Sequence, residues 1–297
     1  MKIVECVPNF SEGRREQVVE QIVAAMANCP GMRVLDVQSD PDHNRSVVTL
    51  IGEPQPVVEA AFQGIATAAE LIDMNHHRGE HPRMGATDVV PFVPIRGLTM
   101  EDCAALARQL GERVGNELQI PVYLYEAAAT RPERRNLADV RRGEYEGLKA
   151  EIATNRDRAP DFGPAALGTA GATAIGARPP LIAYNVYLNT DDVKPAQAIA
   201  RAVRHSSGGL RHVKALGLVV EGQAQVSMNL TDFHHTPIYR VMELIRAEAA
   251  HFGLAVTHSE IVGLLPAEAL IDAAGFYLQL TGLSPDQVLE NRLSEEL

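Results

Sequence analysis

The run Asn75-His76-His77-Arg78-Gly79-Glu80-His81-Pro82-Arg83-Met84-Gly85-Ala86-Thr87-Asp88 gathers imidazole, guanidinium and carboxylate groups more densely than any other part of the chain. His77 and His81 are four apart with Glu80 beside them, a spacing that would suit a metal ion only if the segment were helical. Gly79 weakens a helix there, and Pro82 pushes His81 toward extended backbone, so the two rings are not expected to share a helix face. No metal is expected. The other chemistry open to His81 is general acid/base work, because imidazole titrates near neutral pH and can take and return a proton within one turnover. An ordinary loop histidine bonded to its neighbours satisfies the same spacing, and spacing alone leaves both readings standing.

Further polar groups collect where elements end. In Glu5-Cys6-Val7-Pro8-Asn9-Phe10-Ser11-Glu12-Gly13-Arg14 a strand breaks at Pro8. Capping of the next helix by Ser11 or Asn9 explains part of the cluster. Asp42-His43-Asn44-Arg45-Ser46 lies at a hairpin, where an amide and a planar guanidinium could meet a carboxylate, or simply face water. The glycine-rich stretch Gly163 to Gly176 lacks both phosphate-loop patterns, so nucleotide binding gains no support. Its small residues would let a flat ligand lie against backbone beside Phe162. In the second half, Asn185 and Asn189 share one strand face, as do Gln225, Ser227 and Asn229, rows that normally face water.

Positioning these groups requires a scaffold, and the apolar periodicity supplies one. Lys2–Pro8 reads as a buried strand and Glu12–Asn28 as a helix. Arg33–Gln38 and Ser46–Ile51 read as paired strands, and Val57–Leu71 as a helix. Val89–Ile95, Met100–Leu118 and Val122–Tyr125 follow as strand, helix and strand. Residues 130–180 turn polar and rich in Gly, Pro and Ala, with only Arg141–Thr154 helical. Beyond them, Leu181–Leu188, Pro195–Val203, Ala215–Val220, Ala224–Leu230, Ile238–His251 and Ala255–His258 spell strand, helix, strand, strand, helix, strand. Both halves therefore carry a βαββαβ order. The expectation is an α+β protein of two ferredoxin-like subdomains, residues 1–179 and 180–297. A helical tail from Pro266 is expected to fray over Glu290–Leu297.

With 38 acidic against 27 basic residues the formal charge is -11, which argues against a nucleic-acid partner. The longest apolar runs fall short of a bilayer span and the amino terminus carries no export signal, so a cytoplasmic, membrane-free protein is expected. Cys6, Cys29 and Cys103 lack metal-ligand spacing and read as reduced core residues.

Taken together, several segments resemble the formiminotransferase part of the formiminotransferase-cyclodeaminase family. They are Val4 to Gly13, Leu71-Ile72-Asp73-Met74, Gly79-Glu80-His81-Pro82-Arg83-Met84-Gly85, Pro121 to Tyr125 and Arg142-Gly143-Glu144-Tyr145-Glu146. Ala159 to Pro164, Gly171-Ala172-Thr173, Gly176-Ala177-Arg178, Gln225 to Leu230 and Val262 to Pro266 extend the similarity over nearly the whole chain.

The resemblance implies transfer of the formimino group from N-formimino-L-glutamate to N5 of tetrahydrofolate, with folate as co-substrate, with or without a polyglutamate tail. It implies that His81 is the catalytic histidine. The family's folate-binding stretch falls on Gly163, Pro164, Ala165, Ala166, Leu167, Gly168, Thr169, Ala170 and Gly171. It further implies that the two subdomains pack around a substrate cleft or tunnel, a homodimer and a place in histidine breakdown. Beside that reading, Glu80, Asp88 or Asp36 could orient the imidazole, and Asn9, Asn44 and Asn229 could hold the formimino carbon or the pterin. Arg45 and Arg83, and less directly Arg178, could meet glutamate carboxylates. The chain departs from the family pattern at Gln38, where an acidic residue can stand. It departs again in a folate stretch one residue shorter, with Ala170 before Gly171 and no aromatic. A cyclodeaminase activity is not expected. The alternatives are a transferase that uses 5-formyltetrahydrofolate and a non-catalytic folate-binding protein.

Overall fold

Pro8 has no amide hydrogen to give a ladder, and the opening strand divides there. The computed structural model describes the backbone of residues 2–296 and the side chains of residues 2–292. In it, β1 spans Ile3–Cys6 and β2 spans Asn9–Phe10. Helix α1 (Glu16–Ala27), strands β3 (Met32–Asp40) and β4 (Arg45–Gly52), helix α2 (Pro54–Leu71) and strand β5 (Thr87–Arg96) follow. Both pieces of the split strand lie between β4 and β5, antiparallel to each. The helix expected from Glu12 starts four residues later. The Glu12 carboxylate instead turns back to accept the backbone N–H of Arg14 and Arg15 at 2.9 Å each.

The chain then adds α3 (Met100–Glu117), β6 (Val122–Glu126), short helices α4 (Leu137–Val140) and α5 (Glu144–Glu151), and β7 (Thr173–Ala177). The sheet order is β3-β4-β1/β2-β5-β7-β6, with β7 parallel to both its neighbours. Its first four positions are the ferredoxin-like arrangement. Strand β7 was not expected, because Thr-Ala-Ile-Gly-Ala sits within a glycine- and alanine-rich stretch. Its Gly176 is required by close packing, since a Cβ there would lie 2.5 Å from the Tyr125 ring and carbonyl. One face of this sheet carries Val4, Cys6, Phe10, Val48, Leu50, Val90 and Phe92 into a core with α1, α2 and α3. On the opposite face, Val89, Tyr123 and Tyr125 pack beneath Val140, Leu148 and Ile152 of the α4–α5 segment.

Residues 1–179 and residues 180–297 form two compact units. The second unit runs β8 (Ile182–Leu188), α6 (Val193–Val203), β9 (Val213–Val220), β10 (Gln223–Leu230), α7 (Ile238–His251) and β11 (Val256–Val262), followed by α8 (Ala267–Tyr277) and α9 (Leu289–Glu296). Its all-antiparallel sheet has the order β11-β8-β10-β9, the same ferredoxin-like order closed by two helices on one face. The protein is thus an α+β fold of two sheet subdomains. The tail expected to fray over Glu290–Leu297 is helical to Glu296, and Leu297 lies outside the described residues. Among the described residues, no helix is long and apolar enough to cross a membrane. Cys6, Cys29 and Cys103 are buried and unpaired.

Candidate active site

Asn9 on β2 faces Val47 of β4 and Val89 of β5, while Phe10 faces Thr87, so Asp88 has no partner across the ladder. A bulge of this kind re-aims a side chain. Here it turns the carboxylate of Asp88 away from the helical core, where its neighbour Val90 packs. Asp88 Oδ1 accepts the backbone N–H of Met84 at 3.0 Å, which also fixes the end of the His81 loop. Its Oδ2 accepts from Arg45 Nη1 at 2.8 Å and from Arg141 Nη2.

Arg45, the first residue of β4, is the hub. Its Nε and Nη2 donate to Asn9 Oδ1 at 3.1 and 2.8 Å, while Asn9 Nδ2 donates to the Val7 carbonyl at 2.7 Å and so sets the amide orientation. Nη1 also lies 3.0 Å from His81 Nδ1. The same Nδ1 lies 2.7 Å from the Pro82 carbonyl. A carbonyl can only accept and a guanidinium can only donate, so Nδ1 serves one of them at a time. The shorter contact favours Nδ1–H bonded to Pro82. Nε2 then carries the lone pair, and it makes no hydrogen bond among the described residues. Burial, and after it the Arg45 and Arg141 guanidinium groups, hold the His81 pKa well below that of a free histidine, against a smaller raising effect of Asp88. The ring is therefore neutral at pH 7, a base with a bound proton on one nitrogen and none on the other.

Asp88 is fully buried, and burial alone would raise its pKa; Arg141 and Arg45 reverse this and bring it down to about 2. The sign for stability follows from the linkage between proton binding and folding. An ordinary aspartate in the unfolded chain takes a proton near pH 4, so the contribution of Asp88 is complete above that pH and disappears as pH falls toward 2. Thermal unfolding midpoints are expected to drop across pH 4 to 2 in the wild type, and the part due to this group to be absent in Asp88→Asn.

The remaining sequence candidates fall into different places. Arg83 is buried and engaged by Glu146 at 2.8 and 2.7 Å and by Glu144 at 2.9 Å; it joins the loop to α5 and is not directed at His81. Asn44, with φ of 47°, accepts from Gly13 N–H and donates to the Arg78 carbonyl, lacing three loops together. Asp36 on β3 faces Thr49, four pairs along from the Asp40–Arg45 pair and so roughly 13 Å from it. Glu80 is exposed, and Asn229 is exposed on β10 of the second unit. His77 Nε2 lies 3.0 Å from the Asn44 carbonyl, a structural bond that takes it out of any pairing with His81. The one group with metal-ligand spacing among the described residues is His212, Asp232 and His235, in the second unit.

Gly163 to Gly171 is mostly exposed, yet its end is bound to the His81 loop. Ala86 N–H donates to Ala170 O at 2.8 Å, Ala172 N–H to Met84 O at 3.0 Å, and Met74 N–H to Thr169 O at 2.8 Å. Gly85 and Gly171 form a β-bridge, and Ser11 Oγ donates to Gly85 O at 2.7 Å instead of capping α1. A Cβ on Gly85 would lie 2.2 Å from Ala172 O and 2.7 Å from Ala170 O, both fixed backbone. Gly85→Ala is therefore expected to destabilise the protein by about 1–3 kcal/mol or more and to weaken whatever the 163–171 stretch binds, measured by thermal unfolding and ligand titration.

Arg141 was missed by sequence reasoning. It ends the short helix α4, far along the chain from the other groups, and only its place directly before the Arg142-Gly143-Glu144-Tyr145-Glu146 motif marked it. His43, edge-on to His81 with ring centroids 6.1 Å apart, was seen only as a hairpin residue.

The chain matches the formiminotransferase domain, N-terminal subdomain, over residues 3–178 and the formiminotransferase domain over residues 183–292. It is 52% identical to a glutamate formimidoyltransferase of Thermoplasma acidophilum over 299 residues, covering 99% of this chain and 98% of that protein. A glutamate formimidoyltransferase of Streptococcus pyogenes serotype M1 is 50% identical over 98% of this chain and 99% of its own length. The formimidoyltransferase-cyclodeaminase of Mus musculus is 45% identical over 93% of this chain, which spans 52% of that protein. With both parts of the domain matched and half the residues shared with full-length relatives, the chain belongs to the formiminotransferase family.

Proposed function

We propose that this protein is a glutamate formimidoyltransferase that moves the formimino group of N-formimino-L-glutamate to N5 of tetrahydrofolate, with His81 shuttling the proton. The single observation that carries the role of His81 is its geometry: a half-buried imidazole with Nδ1 2.7 Å from the Pro82 carbonyl and Nε2 without a hydrogen-bond partner among the described residues. N5 of the folate attacks the formimino carbon and loses its proton to Nε2. The carbon–nitrogen bond to glutamate then breaks as Nε2 returns that proton to the leaving nitrogen, so atoms and charge balance with no other reactant. The imidazolium formed in between sits within reach of Asp88, whose charge the arginines share.

The mostly exposed stretch 163–171 beside this loop supports folate placement there, and the similarity to proteins named glutamate formimidoyltransferase supports the donor. The reading carries with it a place in histidine breakdown, a cytoplasmic setting and a homodimer. Exposed Leu270, Phe276 and Leu278 on and after α8 support self-association.

Because His81 is held below the usual histidine range, kcat/KM is expected to stay level from pH 8 down through pH 6.5, where an ordinary histidine would be half protonated. A decline centred at or above pH 6.5 would contradict the assignment of the neutral ring as base. To test the donor, purified protein and tetrahydrofolate are supplied with N-formimino-L-glutamate, and separately 5-formyltetrahydrofolate is supplied with glutamate. Product from the first pair is expected. Product from the second pair alone would shift the activity to the formyl donor, and none from either would leave a folate-binding protein.

A further inference from the structure

We infer that Arg141 seats the α-carboxylate of the formimino donor, an inference that rests on the function proposed above. Its side chain is mostly buried, and its Nη2 is taken by Asp88. Its Nε–H is buried with no acceptor among the described residues. Buried donors are almost always paired, so an open one beside a catalytic group points to a missing acceptor. Asp88 cannot supply it: Oδ1 serves Met84 N–H, and Oδ2 already serves both arginines.

The charge points the same way. Arg45 and Arg141 contribute two positive charges to the cluster, Asp88 contributes one negative, and His81 is neutral. Tyr125 is neutral as well, since burial pushes its hydroxyl up to about 12 against the pull of Arg178 and Arg141. A buried net positive charge with a free N–H is a seat for an anion.

Which anion follows from the donor's covalent structure. Its α-carboxylate and its reacting nitrogen are attached to the same carbon, whereas the side-chain carboxylate is two methylenes further away. Arg141 and His81 meet at one hub, Arg45 being in contact with Asp88 and with the ring. The carboxylate that reaches Arg141 while the nitrogen faces His81 is therefore the α-carboxylate. The other guanidinium named for this task, Arg83, has its donors occupied by Glu144 and Glu146.

The test compares two donors in the intact protein: N-formimino-L-glutamate and 4-(formimidoylamino)butanoate, the same molecule without its α-carboxylate. The wild type is expected to prefer the first by on the order of 100-fold in kcat/KM, because a site built to pair a charged group discriminates against a ligand lacking it. In Arg141→Gln that ratio is expected to fall to within a few-fold, chiefly by loss of activity on the glutamate donor. If the variant slows both donors equally and keeps the ratio, Arg141 only braces Asp88 and the inference fails. If the wild type uses both donors equally well, the inference fails while the transferase reading stands; if it uses neither, the transferase reading fails and this falls with it. Should Arg141→Gln not fold, calorimetry on the wild type decides: L-glutamate must bind more tightly than 4-aminobutanoate, and equal affinities overturn the assignment.

Discussion

Replacing His81 with alanine is expected to lower kcat for formimino transfer by about 10²- to 10⁴-fold, the range associated with removing a positioned general acid/base. The KM for tetrahydrofolate should change little, because the 163–171 backbone is anchored through Ala86, Met84 and Met74, not through the imidazole. Thermal stability should also be nearly retained. His81 contributes one bond to the neighbouring Pro82 carbonyl, and with Nδ1–H so engaged its approach to Arg45 Nη1 sets donor against donor, so its loss removes that conflict along with a weak loop contact. Steady-state kinetics with a melting curve on the same preparation separates these effects. A variant that turns over normally while folded would remove His81 from the mechanism.

The second large effect is expected at Asp88, and it runs through stability. Asp88→Ala leaves two buried guanidinium groups facing each other without their shared carboxylate, and it frees the Met84 N–H. Breaking a buried ion pair from one side costs about 3–5 kcal/mol, so the variant should be poorly soluble or melt far below the wild type. Asp88→Asn is the informative partner. It keeps the shape and one acceptor toward the arginines but removes the charge, so the His81 pKa should fall further and the loss of activity should exceed the loss of stability. Equal stability of Asp88→Ala and wild type by denaturant unfolding would contradict the electrostatic picture of the site.

Much of this arrangement is legible in the sequence. Helical and strand periodicities marked both βαββαβ halves, because each half buries a sheet face against helices and the pattern of apolar residues records it. Pro82 after His81 was enough to argue against a shared helix face with His77, and the structure turns His77 to the Asn44 carbonyl. What the sequence hid has physical reasons. Asp88 is aimed at Arg45 by a bulge, and a bulge depends on the pairing register of two other strands. Arg141 reaches the site from a single turn of helix whose backbone direction is set by the packing of Val140, Leu148 and Ile152 onto the sheet. Strand β7 lacks a strong strand composition because Gly176 must admit Tyr125. Arg83 looked available from its place in the motif, and only the fold shows that α5 brings Glu144 and Glu146 to it.

The central claim is tested most directly by following the label from N-formimino-L-glutamate carrying ¹⁴C in its formimino carbon, mixed with tetrahydrofolate and the purified protein, with His81→Ala run alongside. The account predicts that label appears on the folate in step with release of unlabelled glutamate in the wild type, and that the variant forms this product at least about 100-fold more slowly. Label that stays with glutamate in the wild type, or moves equally fast in the folded variant, would contradict it.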